Sequence, residues 1–128
     1  MERDVFEKLV IAAIESLPDE FRQKLDNVDV VVEDLPSSSQ KRRSRLKSSM
    51  QLLGLYEGIP QTERGTNYTL VLPDKITIFQ ESVEAMCATN DQIKSEIQNV
   101  VKHEIAHHFG ISDTTLRQIE KNKRRGKS

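Results

Sequence analysis

Three histidines lie together within the segment VKHEIAHHFGISD at positions 101–113, and the chain has no others. Two of them, His103 and His107, are four residues apart. On a helix this spacing puts both imidazoles on one face, where they can reach a common point. Two neutral imidazoles so placed suit Zn²⁺, which takes nitrogen ligands in four-coordinate geometry. The spacing therefore predicts a metal site on a helix.

Glu104 directly follows the first of these histidines. Its carboxylate lies one residue round the helix, too far for a bond to the metal but close enough to hold a water molecule at the metal. A carboxylate in that position is the general base of a metal-dependent hydrolase. The segment therefore also predicts hydrolytic chemistry, with Glu104 as the base.

A catalytic zinc site needs a third protein ligand and keeps its fourth position open for water. Gly110 is suited to end the helix, because glycine adopts the left-handed conformation without a Cβ clash. After that reversal, Asp113 is the next group able to bind the cation. The sequence thus predicts one Zn²⁺ per chain, bound by His103, His107 and Asp113.

Other interpretations of the segment stay open at this point. The histidines could be surface polar residues of a helix, or they could belong to a metal site that has lost its activity. The third histidine, His108, projects to the apolar side of the helix with Val101 and Ile105. We expect His108 to be a buried, hydrogen-bonded structural residue rather than a ligand.

The segment has the pattern H-E-x-x-H-x-x-G-x-x-D and resembles the zincin metallopeptidases that carry aspartate in place of a third histidine. The whole chain resembles the small bacterial zincin-like metallopeptidase family of single-domain proteins. The resemblance also rests on NVDVVVEDLP at 27–36, LLGLYEGIP at 52–60 and YTLVLPDKITIF at 68–79. It implies a zinc-dependent peptidase acting on a peptide or protein substrate. The metal ligands would be His103, His107 and Asp113, with Glu104 as the catalytic base.

Hydrophobic spacing predicts the elements that position these residues. Residues 3–17 have apolar side chains at helical intervals, and Pro18 ends this helix or restarts it as a short one. β-Branched and alternating runs predict strands at 28–33, 52–57, 67–72 and 75–80. Thr89 and Gln92 match a capping box at the start of the long histidine-bearing helix. The predicted buried stripe of that helix is Ile93, Ile97, Val100, Val101 and Ile105.

The predicted fold class is α+β, with a small mixed β-sheet packed by an N-terminal helix and the C-terminal helix that carries the histidines. The resemblance narrows this to a minimal zincin-like fold. It also implies that an edge strand beside that helix holds an extended substrate by main-chain hydrogen bonds. The candidate is a strand of the region Tyr68–Gln80. Tyr56 and Tyr68 could donate to an oxyanion, but we favour a structural role for each.

The length of 128 residues predicts one domain at 1–120, followed by a basic flexible tail at 121–128. Residues 37–49 are basic with a single apolar side chain, and they predict a mobile loop. Residues 41–47 and 121–127 each carry five positive charges and no negative charge. Of the 19 basic residues nine then remain elsewhere, against 20 acidic ones, so the body of the chain is acidic.

Composition also bounds the function. No aromatic residue is interleaved with the basic ones, so we expect no dedicated nucleic-acid binding. No run approaches the roughly 20 apolar residues of a membrane span, and the first residues lack the basic and apolar regions of a signal peptide. The single cysteine, Cys87, excludes an internal disulfide and is compatible with a cytoplasmic location. The alternative function is a non-catalytic metal-binding or partner-binding module that retains the His₂Asp site.

Overall fold

The structure is a computed structural model that describes residues 1–43, 52–58, 73–111, 115, 117, 118 and 121. The predicted α+β class is confirmed. The predicted strand at 67–72 lies outside the described residues. The helices are α1 (Arg3–Glu15), α2 (Asp19–Lys24), α3 (Ser38–Arg43), α4 (Gln80–Ala85) and α5 (Asn90–Phe109), and the strands are β1 (Val28–Glu33), β2 (Gly54–Glu57) and β3 (Asp74–Phe79).

The three described strands form one mixed sheet in the order β1–β3–β2. β1 runs parallel to β3 with Val28 opposite Asp74, and β2 runs antiparallel to β3 with Tyr56 opposite Ile76. β3 is therefore central, and the expectation of an edge strand in the region Tyr68–Gln80 is wrong for this strand. The physical reason is that the last four residues of β3 are buried on both faces of the sheet, which is typical of a central strand.

Helices α1 and α5 pack together over one face of the sheet, where the main core lies. Every member of the predicted stripe of α5 is buried, as expected from its spacing. A smaller cluster lies on the opposite face of the sheet and consists of Leu52, Leu55 and Phe79. The two clusters account for the alternation along β3, in which Ile76 and Ile78 face α1 and α5.

The predicted mobile loop at 37–49 begins with a helix instead. The Ser37 hydroxyl accepts a hydrogen bond from the Gln40 N–H at 3.1 Å, and the Gln40 side-chain oxygen accepts one from the Ser37 N–H at 2.9 Å. This reciprocal capping starts α3, and Gln40 is only 8% exposed. The prediction relied on the basic composition of the segment and did not take the capping pair of Ser37 and Gln40 into account. Residues 44–49 lie outside the described residues.

Helix α5 has defined ends. At its start the Thr89 hydroxyl accepts from the Gln92 N–H at 3.1 Å, which confirms the predicted capping box. At its end Gly110 has a φ of 68°, and the Ile111 N–H donates to the Ala106 carbonyl at 2.8 Å. Such a left-handed ending favours glycine. Across the described ranges, no helix is long and apolar enough to cross a membrane.

Candidate active site

His103 and His107 lie on the last turns of α5, and both side chains are exposed. The Nδ1 atom of His103 lies 2.7 Å from the carbonyl oxygen of Asn99, one turn earlier. Because a carbonyl only accepts, the ring proton is on Nδ1, and Nε2 keeps its lone pair for a cation. His107 follows one turn later on the same helix face. These two imidazoles are therefore suited to share a metal ion.

The carboxylate of Glu104 is held by the main chain of the neighbouring strand. Its Oε1 atom accepts a hydrogen bond from the Tyr56 N–H at 2.8 Å, and among the described residues this is the only hydrogen bond of the Glu104 side chain. Burial raises the pKa of Glu104, while the Tyr56 N–H and the nearby His107 and His103 act in the opposite direction. Glu104 is thus a fixed carboxylate with increased proton affinity beside the two exposed imidazoles.

Strand β2 runs alongside α5 with matched spacing. A Cβ added to Gly54 would lie 2.5 Å from Val100 Cγ1, so glycine permits the close approach of the helix. Two residues further along the strand, Tyr56 meets Glu104, which is four residues further along the helix. Two strand residues advance by about 6.7 Å and four helical residues by about 6 Å. The two elements therefore stay in register, and this register delivers a strand N–H to the carboxylate.

The same spacing continues to His108, whose Cε1 atom would lie 3.5 Å from a Cβ added to Gly58. The expectation that His108 is buried is wrong, because its side chain is 38% exposed. Its ring stacks on Tyr56, with the centroids 3.9 Å apart and the planes at 20°. The reason is that the last turn of α5 passes beyond the core, so its inner side meets the end of β2.

Tyr56 also connects to the central strand through its side chain. The phenol donates a hydrogen bond to Asp74 Oδ2 at 2.7 Å, and His108 Nε2 lies 3.9 Å from the same oxygen. Burial and the Asp74 carboxylate both raise the pKa of Tyr56. The phenol therefore remains a protonated donor to Asp74. This contact agrees with the structural role favoured for Tyr56, while Tyr68 lies outside the described residues.

The third predicted ligand, Asp113, also lies outside the described residues. The predicted helix end at Gly110 is confirmed. In the part of the chain that the structure describes, no group of three or more metal-binding side chains is arranged around one point. The complete ligand set of His103, His107 and Asp113 therefore stays a prediction.

The larger of two cavities in the described part of the chain does not lie at the histidine segment. A cavity of about 370 Å³ between α1 and β1 is lined by apolar side chains and Glu7. A smaller cleft of about 170 Å³ lies beside Tyr56, Asp74 and Phe109, next to the histidine segment. The larger cavity has no imidazole and a single carboxylate. Donor chemistry therefore places the candidate site at the C-terminal half of α5.

Sequence reasoning missed the contact between Tyr56 and Glu104. The two residues are 48 positions apart, and the contact depends on the register of β2 against α5. The only local signal is the pair of glycines in GLYEG at 54–58, which flank Tyr56 and lie on the side facing the helix.

Comparisons with known proteins show a family and a similar fold. The sequence model of the zincin-like metallopeptidases matches residues 25–123. A solved structure of a conserved hypothetical protein from T. thermophilus superposes with a TM-score of 0.54 at 22% sequence identity, covering 85% of this chain and 94% of that chain. That likeness concerns the fold alone. No curated protein matches the chain.

Proposed function

The chain belongs to the zincin-like metallopeptidase family, and we propose that it is a zinc-dependent peptidase. In this proposal His103, His107 and Asp113 bind the metal, and Glu104 is the general base. The observation that supports it most strongly is the position of the Glu104 carboxylate. One oxygen is held by the Tyr56 N–H at 2.8 Å, and the carboxylate lies beside two exposed imidazoles of the same helix.

The donor chemistry of the described residues fits Zn²⁺. His103 already has its Nδ1 proton directed at a carbonyl, which leaves Nε2 free to bind a cation. His107 is exposed one turn away. A bound Zn²⁺ supplies Lewis acidity towards the scissile carbonyl and towards a water molecule.

Glu104 would take a proton from the attacking water and pass it to the leaving amine. One feature of its surroundings suits this role. Its anchored Oε1 restricts the side-chain rotamer, so the position of the second oxygen is fixed before substrate arrives.

The substrate would bind in extended form along β2. Among the described strands, β2 is the edge beside α5, and an edge strand offers main-chain groups to a peptide. The Tyr56 N–H is already used by Glu104. A peptide would therefore pair with β2 on either side of this position.

The alternative is a non-catalytic module that retains the metal site for folding or partner binding. A structural zinc site is closed by its ligands and has no use for an additional carboxylate beside them. The anchoring of Glu104 by the main chain of another element therefore favours the peptidase.

The proposal is tested by removing and restoring the metal. The purified full chain is incubated with a broad mixture of peptides, and new termini are detected by mass spectrometry. We expect cleavage by the zinc-loaded protein, none after chelation, and recovery when zinc is restored. Cleavage that is insensitive to chelation would contradict the proposal. If the protein binds one zinc ion per chain but cleaves no peptide, the non-catalytic module is favoured.

A further inference from the structure

We propose that Tyr56, held by Asp74 and His108, is a positioning residue that orients the general base Glu104. It does so by holding its own main-chain N–H, the hydrogen-bond donor to Glu104 Oε1, at the distance from α5 that this bond requires. The role of Glu104 as a general base rests on the proposed function. The contact and its dependence on the tyrosine side chain are independent of that function.

The ladder of the sheet sets the direction of this N–H, because Leu55 and Glu57 are in the hydrogen-bonded pairs with β3, but it does not set the distance of the N–H from α5. Tyr56 lies opposite Ile76 in the antiparallel pair, but its N–H is directed away from β3 and towards α5. The ladder of the sheet therefore gives this group no partner. In addition, β2 has only four residues and forms an edge among the described strands. The distance of this N–H from α5 therefore depends on the contacts that hold β2 against α5, and the side chain of Tyr56 makes two of them.

The first of these contacts ties Tyr56 to the central strand. Asp74 is the first residue of β3, two positions before Ile76, so it is the diagonal neighbour of Tyr56 on the same face. The phenol donates to Asp74 Oδ2 at 2.7 Å. A hydrogen bond to a charged acceptor is stronger than one between neutral groups. The raised pKa of Tyr56 keeps this donor protonated.

The second contact ties Tyr56 to the helix that carries the base. The Tyr56 ring stacks on His108, one helical turn after Glu104. Phe109 meets the edges of both rings, with centroid distances of 6.2 Å to Tyr56 and 4.8 Å to His108. The tyrosine ring is thus held between β3 and α5. Its main chain is thereby held at the distance from α5 that the bond to Glu104 requires.

Hydrogen exchange of the amide at residue 56 tests this role in the full-length chain by ¹H–¹⁵N NMR. In the wild type we expect this amide to be protected, and in Glu104→Ala to lose that protection. In Tyr56→Phe, which keeps the ring but removes the hydroxyl, we expect exchange about tenfold faster or more, the size of a lost hydrogen bond to a charged group. The amide of Phe79, which donates to the Leu53 carbonyl at 3.0 Å, should not change.

An amide at residue 56 that stays as protected as in the wild type, in either variant, would overturn the proposal. A matched control is Thr77→Val, which removes a buried hydroxyl from the opposite face of the sheet; that hydroxyl has no hydrogen-bond partner among the described residues. This control should leave residue 56 unchanged. If Tyr56→Phe does not fold, Asp74→Asn is measured in its place and judged by the same two outcomes.

The catalytic consequence is measured separately. If the chain is a peptidase, Tyr56→Phe should lower kcat by about tenfold and leave KM near the wild-type value, since the base is misplaced while substrate binding is kept. Combined with Glu104→Gln it should cause no further loss. A wild-type kcat in Tyr56→Phe would overturn the positioning role. If even the wild type cleaves nothing, the proposed function fails, and the exchange result alone decides the role of Tyr56.

Discussion

At the scale of single residues, the three histidines differ in their surroundings although they lie within two turns of one helix. His103 directs its Nδ1 at a carbonyl and leaves Nε2 free. His107 is exposed. His108 stacks on Tyr56 and lies near Asp74. The first two imidazoles are therefore suited to bind a cation, whereas the third is already in contact with other side chains of the protein.

We therefore predict that His103→Ala and His107→Ala lose most of the zinc that the wild type binds at about one ion per chain, the stoichiometry of a single three-ligand site. His108→Ala is the matched control and should keep its zinc. Asp113→Ala, which tests the third ligand, should also lose zinc. Elemental analysis after dialysis gives the comparison, and wild-type affinity should fall in mild acid because a protonated imidazole cannot bind metal. Full zinc in the first two variants would rule out this ligand assignment.

The site could be predicted at this scale only as far as local spacing reaches. The four-residue spacing of two histidines, and the carboxylate next to the first of them, can be recognised along one helix. His103, Glu104 and His107 were therefore identifiable. The partner of Glu104 was not, because the Tyr56 N–H comes from a strand 48 positions earlier. The exposure of His108 depends on where α5 leaves the core, which helical periodicity does not reveal.

At the scale of the elements, the approach of β2 to α5 depends on Gly54. A Cβ at this position would lie 2.5 Å from Val100 Cγ1 and 3.1 Å from the Thr77 carbonyl oxygen. Both contacts belong to packed elements that cannot move independently. We predict that Gly54→Ala lowers the free energy of unfolding by about 1–3 kcal/mol, the usual cost of overpacking a core, as measured by urea denaturation.

Gly58→Ala provides the control on the same strand path. Its Cβ would meet His108 Cε1 at 3.5 Å and Asp74 Oδ1 at 3.8 Å, which are ordinary contacts. Its effect should stay within about 0.5 kcal/mol. Adding Val100→Ala to Gly54→Ala should recover part of the lost stability. Equal destabilisation by the two glycine substitutions would show that close packing at Gly54 is not the cause.

Most elements were predictable because their hydrophobic spacing agrees with their final packing. The span of β1 matches the prediction, and α1 and α5 follow their apolar periods. Helix α3 was missed because a basic composition outweighed the capping pair of Ser37 and Gln40. The central place of β3 was missed because strand order depends on long-range pairing.

At the scale of the whole molecule, the net charge of −1 conceals an acidic body and two basic segments. The terminal segment KNKRRGKS at 121–128 contains no apolar side chain that could anchor it to the core. We predict that deleting residues 121–128 leaves zinc content and the melting temperature nearly unchanged. Calorimetry and elemental analysis measure both quantities. A large fall in melting temperature would mean that the segment contributes to the fold.

The most direct test of the central claim is the hydrolysis of a broad peptide mixture by Glu104→Gln, compared with the wild type at equal zinc content. Glutamine keeps the size of the side chain and an oxygen that can accept from the Tyr56 N–H, but it removes the base. We predict full zinc content, an unchanged melting temperature and hydrolysis reduced by about 10²–10⁴-fold, the usual contribution of a general base. Equal hydrolysis by the two proteins would contradict the assignment of Glu104 as the catalytic base.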